Sequence, residues 1–255
     1  MAHYYSVNSG NVKLLKSVET PSQARKHGNA LASVTTILSY LPAGYVDKVW
    51  KPAKLVELAR LYKDADMDTL NNLLWGLRRC PETQELIPSA DYGTRAHARM
   101  EDLVNGFIDD GLLPHAHMYD GVCLDTFDYL QKNGFTPLHT EYMVACEDRR
   151  IAGTIDLVAL DANEKVCLLD YKFRDCDDGK IKAYDKDCSQ LAIEALIWKE
   201  QNGLDYMPDC YTVCVDTNTG TPHVKKWTAK MVAKGVERFE SARIAYYRNP
   251  DFGGE

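Results

Sequence analysis

The stretch that most constrains the fold is GTIDLVALDANEKVCLLDYKFRD, residues 153–175, because it places charged side chains inside a strand pattern. Apolar runs on both sides of the turn DANEK predict two antiparallel strands joined as a hairpin. In the simplest register Leu160 pairs with Val166, and Asp156 then lies directly opposite Asp170. Because side chains alternate along a strand, both carboxylates are expected on one face of the sheet.

Two opposed carboxylates destabilise a sheet unless something neutralises them. Lys172 points to the same face as Asp170, but it supplies one positive charge to two carboxylates. A divalent cation neutralises such a pair best, because hard cations prefer carboxylate oxygens. The alternative is a surface hairpin with a salt bridge on its wet face, which would need the rest of that face to be polar. The face instead carries Val158, Leu160, Val166 and Leu168.

The remaining chain alternates between helical and strand periodicity and predicts an α/β or α+β fold, with a central mixed sheet flanked by helices. Residues 1–30 have weak periodicity and are expected to be irregular, so residues 1–32 are predicted to form an N-terminal arm. Helices are predicted at 45–63, 66–79, 91–108, 122–132, 187–201 and 229–247, and strands at 138–146, 151–160, 166–173, 210–216 and 223–227.

The length, charge and cysteine content restrict which classes of protein the chain can belong to. A chain of 255 residues can bury a full core, so residues 33–255 are predicted to form a single domain, with two small domains as the alternative. The net charge of −7 argues against a protein that coats DNA passively, but a metal-dependent nuclease needs an acidic site. Eight cysteines without a regular framework, and no signal peptide, favour a reducing compartment such as the cytoplasm. No apolar run approaches the ~20 residues that span a bilayer.

The charged hairpin resembles the core of the PD-(D/E)XK nuclease superfamily. The match is Gly153-x-x-Asp156, thirteen intervening residues, and then Asp170-Tyr171-Lys172. Upstream, YGTRAHARMEDL carries a G-x-x-x-H-x-x-x-E pattern that is similar to the RecB-like branch. Downstream, SQLAIEALIW resembles the glutamine-bearing helix of that branch, although the family's usual tyrosine is replaced here by Ile193 and Glu194.

The resemblance extends over residues 33–199. The segments ASVTTILSYLP and VWKPAKLVELA are similar to the lead-in of phage exonucleases of this branch and of the mitochondrial genome-maintenance exonuclease. It implies a restriction-endonuclease-like core at residues 91–255, preceded by a helical DNA-binding elaboration at residues 33–90. The iron–sulfur cysteines of some RecB-like nucleases have no match, so no such cluster is expected.

The resemblance also implies a site for Mg²⁺ or Mn²⁺. The implied ligands are His97, Asp156, Asp170 and the backbone carbonyl of Tyr171, and Glu141 is either a further ligand or an edge-strand surface charge. One imidazole with several oxygens favours these ions over zinc. Lys172 is expected to orient the attacking water or stabilise the transition state. Gln190 is expected to contact DNA or orient the site, unless it is merely a polar residue at the start of its helix.

DNA contacts must come from local basic clusters, because the chain as a whole is acidic. Lysines around a tryptophan combine cations with a stacking platform, and two arginines flank the histidine of the G-x-x-x-H pattern. Each cluster taken alone is more often a solvated helix face. The predicted nucleic-acid contacts are Thr35, Lys48, Trp50, Lys51, Lys54, Arg95 and Arg99, with Arg78 and Arg79 as a further basic pair.

The function expected from these residues is that of a metal-dependent exonuclease acting on single-stranded or resected DNA ends, in replication, recombination or repair. Two alternatives stay open at this point. One is a catalytically silent nuclease fold that binds nucleic acid or protein, which the intact set of Asp156, Asp170 and Lys172 disfavours. The other is a structure-specific endonuclease, for which no attached recognition domain is visible.

Overall fold

The computed structural model of the chain describes residues 2–41, 51–74, 76–111, 117–176 and 183–248. These residues form helices on both sides of one large sheet, together with a small separate hairpin. The helices are α1 (Pro21–His27), α2 (Val34–Leu38), α3 (Lys51–Leu61), α4 (Met67–Leu73), α5 (Ser89–Asp110), α6 (Asp120–Lys132), α7 (Asp185–Gln201) and α8 (Ala229–Arg248). The strands are β1 (Tyr4–Asn8), β2 (Asn11–Leu14), β3 (Leu31–Ser33), β4 (Leu77–Arg79), β5 (Leu86–Pro88), β6 (Thr136–Cys146), β7 (Ile151–Leu160), β8 (Val166–Arg174), β9 (Asp209–Asp216) and β10 (Pro222–Lys226).

The large sheet is mixed, which confirms the prediction of an α/β or α+β fold with a central mixed sheet. Strands β6, β7 and β8 form an antiparallel meander, and α7 then crosses the sheet so that β9 pairs parallel to β8. The strand order is β10-β9-β8-β7-β3-β1-β2, and β6 pairs with the other edge of β7. The short strands β4 and β5 pair only with each other among the described residues.

The hairpin register is the predicted one. Leu160 pairs with Val166, and the β7–β8 pairs end at Leu157 and Leu169, one step before the two aspartates. Farther along the same edge, Ile151 pairs with β3 in parallel. Strand β7 therefore changes partner between residues 153 and 156, and the sheet forks there.

The fork also shifts the alternation of β7. Ile155 packs in the cluster that faces α2, α7 and α8, whereas Leu157 packs in the cluster that faces α5 and α6. Residues two apart on a regular strand share a face, so the strand is irregular at Asp156. The prediction of strict alternation was wrong at this position, and the irregularity turns Asp156 toward α5.

Helices on both faces bury the sheet. Helices α5 and α6 cover one face through residues such as Leu103 and Phe127, and α2, α7 and α8 cover the other. Helix α7 is buried along most of its length, because it lies between the sheet and α8. The apolar residues of α7 on both sides follow from that position.

The N-terminal segment differs from its prediction. Residues 1–30 were expected to be irregular, yet they contain β1, β2 and α1, and β1 pairs with β3 at the fork side of the sheet. The β1–β2 turn is made by Ser9 and Gly10, both with positive φ, a conformation that glycine adopts readily. Thr20 and Gln23 close a capping box at the start of α1. The turn residues and the capping box are visible in the sequence, but the polar composition and weak periodicity of the segment led to the prediction of an irregular arm.

Two further boundaries differ. The helix expected at 66–79 ends at Leu73, and residues 77–79 form β4 instead. Pro88 ends β5 and is the residue directly before α5. The first part of the helix expected at 45–63 lies outside the described residues. The structure describes its continuation as α3.

Gly235 provides a test of the contact between α7 and α8. A methyl group there would lie 2.9 Å from Ala192 Cβ and 3.1 Å from the carbonyl oxygen of Cys188, so the two helices would have to separate. We expect Gly235→Ala to lower the free energy of unfolding by about 2 kcal/mol. The control is Gly121→Ala on α6, where the methyl group meets no atom within 4 Å and should add about 0.5 kcal/mol. Denaturant unfolding measures both, and a neutral Gly235→Ala would contradict the close packing.

Candidate metal centre

An open cleft of about 640 Å³ lies beside the fork, lined by residues of α5, β6, β7 and β8. Its walls carry an unusual share of ionisable side chains. Those that the argument uses are His97, Glu101, Glu141, Asp156, Lys172 and Arg174. The β7–β8 ladder ends at this point, and β7 pairs with β3 beyond it.

Three of these side chains form a group that could hold a metal ion. One ligand atom from each of His97, Glu141 and Asp156 lies within 4.8 Å of the other two. The imidazole Nδ1 of His97 is 3.6 Å from Oδ2 of Asp156. This donor set has one nitrogen and two carboxylates, which suits a hard divalent cation.

The backbone positions all three. His97 lies in the middle of α5, whose packing against α6 includes an ion pair of 2.7 Å between Arg99 and Asp120. On β6, the neighbours of Glu141 pair with the neighbours of Asp156, so Glu141 lies opposite Asp156. Glu141 has a φ of +47°, which is uncommon for a residue with a side chain, and this local irregularity accompanies its placement at the cleft.

Asp156 also makes a hydrogen bond to β8 across the fork. Its Oδ2 accepts a hydrogen bond of 2.7 Å from the backbone N–H of Tyr171 on β8. A side chain thus takes the place of a ladder bond where the two strands part. Burial raises the pKa of Asp156 above its ordinary value, although Lys172 and the Tyr171 N–H act in the opposite direction.

Asp170 lies next to this group and is only 1% exposed. The ammonium of Lys172 donates to its Oδ1, while its Oδ2 is buried with no hydrogen-bond partner among the described residues. Burial raises the pKa of Asp170 to about 6, and Lys172 limits the rise. Burial alone would lower the pKa of Lys172, but Asp170 and Asp156 raise it above its ordinary value, so the ammonium stays charged.

The pKa shifts of His97 and Glu141 also favour the binding of a cation. Burial lowers the pKa of His97 to about 4, with Lys172 adding to the effect, so its imidazole is neutral and keeps a lone pair at pH 7. Burial, with smaller effects from the carboxylates of Asp156 and Glu101, raises the pKa of Glu141 to about 7. A positive charge bound among these groups would favour the ionised form of Glu141 and offset this shift.

Glu194 is a site residue that the sequence analysis passed over. It is 2% exposed on α7, and burial, followed by Asp170 and Asp156, raises its pKa well above the ordinary value. Gly153 makes room for it, since a methyl group on that glycine would lie 2.9 Å from Glu194 Oε1. Gln190, one turn earlier, donates to the same oxygen at 3.4 Å. Gly153 of the G-x-x-D pattern was the one sign in the sequence that another side chain packs closely against β7.

The cleft brings together four of the predicted site residues: His97, Glu141, Asp156 and Lys172. Asp170 adjoins them but is not in the three-residue group. Tyr171 takes part through its backbone N–H, and its ring is buried under α5. Gln190 donates to Glu194 and is not among the described residues that line the cleft.

The predicted DNA contacts are more scattered. Arg99 is 5% exposed and paired with Asp120, so its prediction as a surface contact was wrong. Arg95 is exposed and bound to Glu82 at 2.6 Å, and Lys54 is bound to Glu57 at 2.9 Å. None of these three lines the cleft in the described part of the chain.

The other predicted contacts have different outcomes. Thr35 is exposed on α2, and Lys51 begins α3. Lys48 and Trp50 lie outside the described residues. Arg78 is paired with Asp175, and Arg79 donates to the carbonyl of Gln84 at 2.7 Å.

No family model matches the sequence, and curated proteins give no significant match to it. No described helix is long and apolar enough to cross a membrane.

Glu141→Gln tests the charge balance of the metal-free site. The folded carboxyl of Glu141 holds its proton up to a pKa of about 7, against 4.5 for an ordinary glutamate, so wild-type stability falls as the pH rises between these values. We expect the variant to match wild type at pH 4 and to be more stable at pH 8 by about 1–2 kcal/mol, after allowing for solvent screening.

The measurement is denaturant unfolding in EDTA at both pH values. Glu147→Gln is the control, because that carboxylate is exposed on the loop after β6. Added Mn²⁺ should reverse the order and stabilise wild type more than Glu141→Gln. A variant that is less stable than wild type at pH 8 without metal would mean that Glu141 has a cationic partner.

Proposed function

We propose that this protein is a divalent-metal-dependent nuclease of the PD-(D/E)XK type, hydrolysing phosphodiester bonds of DNA. The observation that carries the proposal is the convergence of His97, Glu141 and Asp156 within one cleft that Lys172 also lines. Such a group has ligands for a cation and a separate ammonium for a phosphate. The arrangement of α5, the meander β6–β8, α7 and β9 supports the same family assignment.

Three properties of the site fit a bound Mg²⁺ or Mn²⁺. The donor atoms are oxygens and one neutral imidazole nitrogen, without thiolates. The carboxylates have raised pKa values, which a cation would relieve. The buried Oδ2 of Asp170 has no hydrogen-bond partner among the described residues, which leaves a ligand atom for an ion or its water. His97, Glu141 and Asp156 would hold the ion, with Asp170 beside them.

The bound ion would activate a water and offset the charge that develops on the scissile phosphate. Lys172 would act on the phosphate or the attacking water, because an ammonium has three N–H donors and Asp170 takes one of them. Its charge is preserved by the two aspartates. Asp170 thus positions Lys172, while Asp156 links the metal group to the backbone of β8.

Single-stranded DNA ends are the substrate that we propose, on the resemblance to RecB-like exonucleases. The cleft is open rather than enclosed by the described residues, so a flexible strand can enter it. Linear and circular single-stranded DNA distinguish the modes of attack. An exonuclease degrades only the linear form, an endonuclease degrades both, and a silent fold binds without degrading either.

Metal dependence is the first test of this function. We expect EDTA to abolish cleavage and Mn²⁺ or Mg²⁺ to restore it in wild type. In Asp156→Asn, which lacks one ligand charge, neither ion should restore it. Asp209→Asn, on the surface of β9, is the control and should keep full activity. Cleavage that persists in excess EDTA would disprove the metal mechanism.

Lys172→Ala separates a catalytic role from a purely neutralising one. If Lys172 acts on the phosphate or the water, single-turnover cleavage should fall by about 10²–10³ while DNA binding, followed by anisotropy, is retained. The reference variant is Lys226→Ala, which removes a surface ion pair with Asp209. A near-native rate at saturating Mn²⁺ would limit Lys172 to neutralising the carboxylates.

A further inference from the structure

A second cavity of about 470 Å³ adjoins the cleft of the metal centre. The two share a wall formed by Ser89, Ala90, Phe173 and Arg174, so a ligand in one can continue into the other. Beyond this wall the second cavity is lined by Arg78, Asp175, Tyr184 and Thr217. We call it the aromatic pocket, after Phe173 and Tyr184.

Tyr184 presents an exposed ring in a fixed position. Its side chain is 53% exposed, although a large aromatic side chain is usually mostly buried. The guanidinium of Arg174 lies 4.8 Å from the centre of the ring, and Asp187 holds that guanidinium through two hydrogen bonds of 2.7 and 2.8 Å. The backbone N–H of Tyr184 donates to the same carboxylate at 2.8 Å. The ring is therefore anchored from its backbone and from its stacked arginine.

The aromatic pocket differs from the cleft in charge. Its two arginines are both balanced, since Arg78 pairs with Asp175 and Arg174 pairs with Asp187. Thr217 donates to Asp175 at 2.7 Å and fixes the first of these pairs. Paired arginines are weak attractors for a further phosphate, while exposed aromatic rings stack readily on a flat, uncharged group.

We infer that the aromatic pocket binds a nucleobase of the single strand whose phosphate enters the cleft, by stacking on Tyr184. This inference rests on the proposed function and adds a subsite to it. The shared wall at Phe173 and Arg174 places the pocket next to the metal centre, as required for a nucleotide adjoining the scissile phosphate. Every base has a stacking face, so the pocket should accept all four bases with similar affinity.

The test uses a set of single-stranded oligonucleotides, each with one base removed at a different position from the end. Binding to the full chain is measured by anisotropy with Ca²⁺ in place of Mg²⁺, to slow cleavage. For wild type we expect removal of the base at one position to weaken binding about tenfold, because stacking on an aromatic side chain contributes that much. Removal at the positions farther from the cleft should matter less.

Variants assign this effect to the ring. Tyr184→Ala should lose about tenfold in affinity for the intact strand and should no longer respond to the missing base. Tyr184→Phe keeps the ring and should behave as wild type. Ile244→Ala, which shortens an exposed apolar side chain on α8, is the control and should also behave as wild type. Circular dichroism of each variant verifies that the fold is intact.

The outcomes separate the subsite from the nuclease function. If wild type binds the strands but no single base matters, or if Tyr184→Ala responds to the missing base as wild type does, the aromatic pocket is not a base subsite and the nuclease proposal is unaffected. If wild type binds no strand and cleaves none with Mn²⁺, the proposed function fails and the subsite fails with it.

Discussion

The hydrogen bond from the Tyr171 N–H to the Asp156 carboxylate is the interaction on which the site depends. It lies where β7 leaves β8, and it replaces a backbone ladder bond with a bond to a side chain. The carboxylate is thereby fixed at the fork, with His97 on one side and Glu141 opposite.

Charge balance follows from the same fork. Burial raises the pKa of four neighbouring carboxyl groups, those of Glu141, Asp156, Asp170 and Glu194. The charge of Asp156 adds to the rise at the other three. Lys172 is the cation that faces them from the strand, and it is committed to Asp170. These carboxylates therefore keep their protons to a higher pH than ordinary carboxylates do, and a divalent cation would compete with those protons. This is the usual relation between a metal site and the pKa values of its ligands.

Two cavities of different character meet at the end of β8. The acidic cleft offers ligands and an ammonium, while the aromatic pocket offers rings and balanced ion pairs. Phe173 and Arg174 line both, because they follow the Asp170-Tyr171-Lys172 motif on the same strand. The strand that carries the proposed chemistry thus also carries one wall of the proposed base subsite.

Several features could be predicted from the sequence because they depend on neighbouring residues. The β7–β8 register followed from apolar runs on both sides of a short turn, and the bounds of the central helices and strands agree to within a few residues. The motif residues Asp156, Asp170 and Lys172 could be selected because charge in an apolar strand needs a partner. His97 was expected with them from the resemblance of its G-x-x-x-H-x-x-x-E pattern to the RecB-like branch.

The positions of Glu141, Arg99 and Glu194 depend on the tertiary structure. Glu141 joins Asp156 because an irregular residue on β6 lies opposite an irregular residue on β7, and neither strand pattern indicates this. Arg99 is buried because α6 places Asp120 against it, a pairing that α5 alone does not specify. Glu194 reaches the site because α7 crosses the sheet over Gly153. The sequence determined which residues carry charge into the sheet, and the packing of distant elements decided which of those charges meet, because long-range pairing depends on the positions of whole helices and strands.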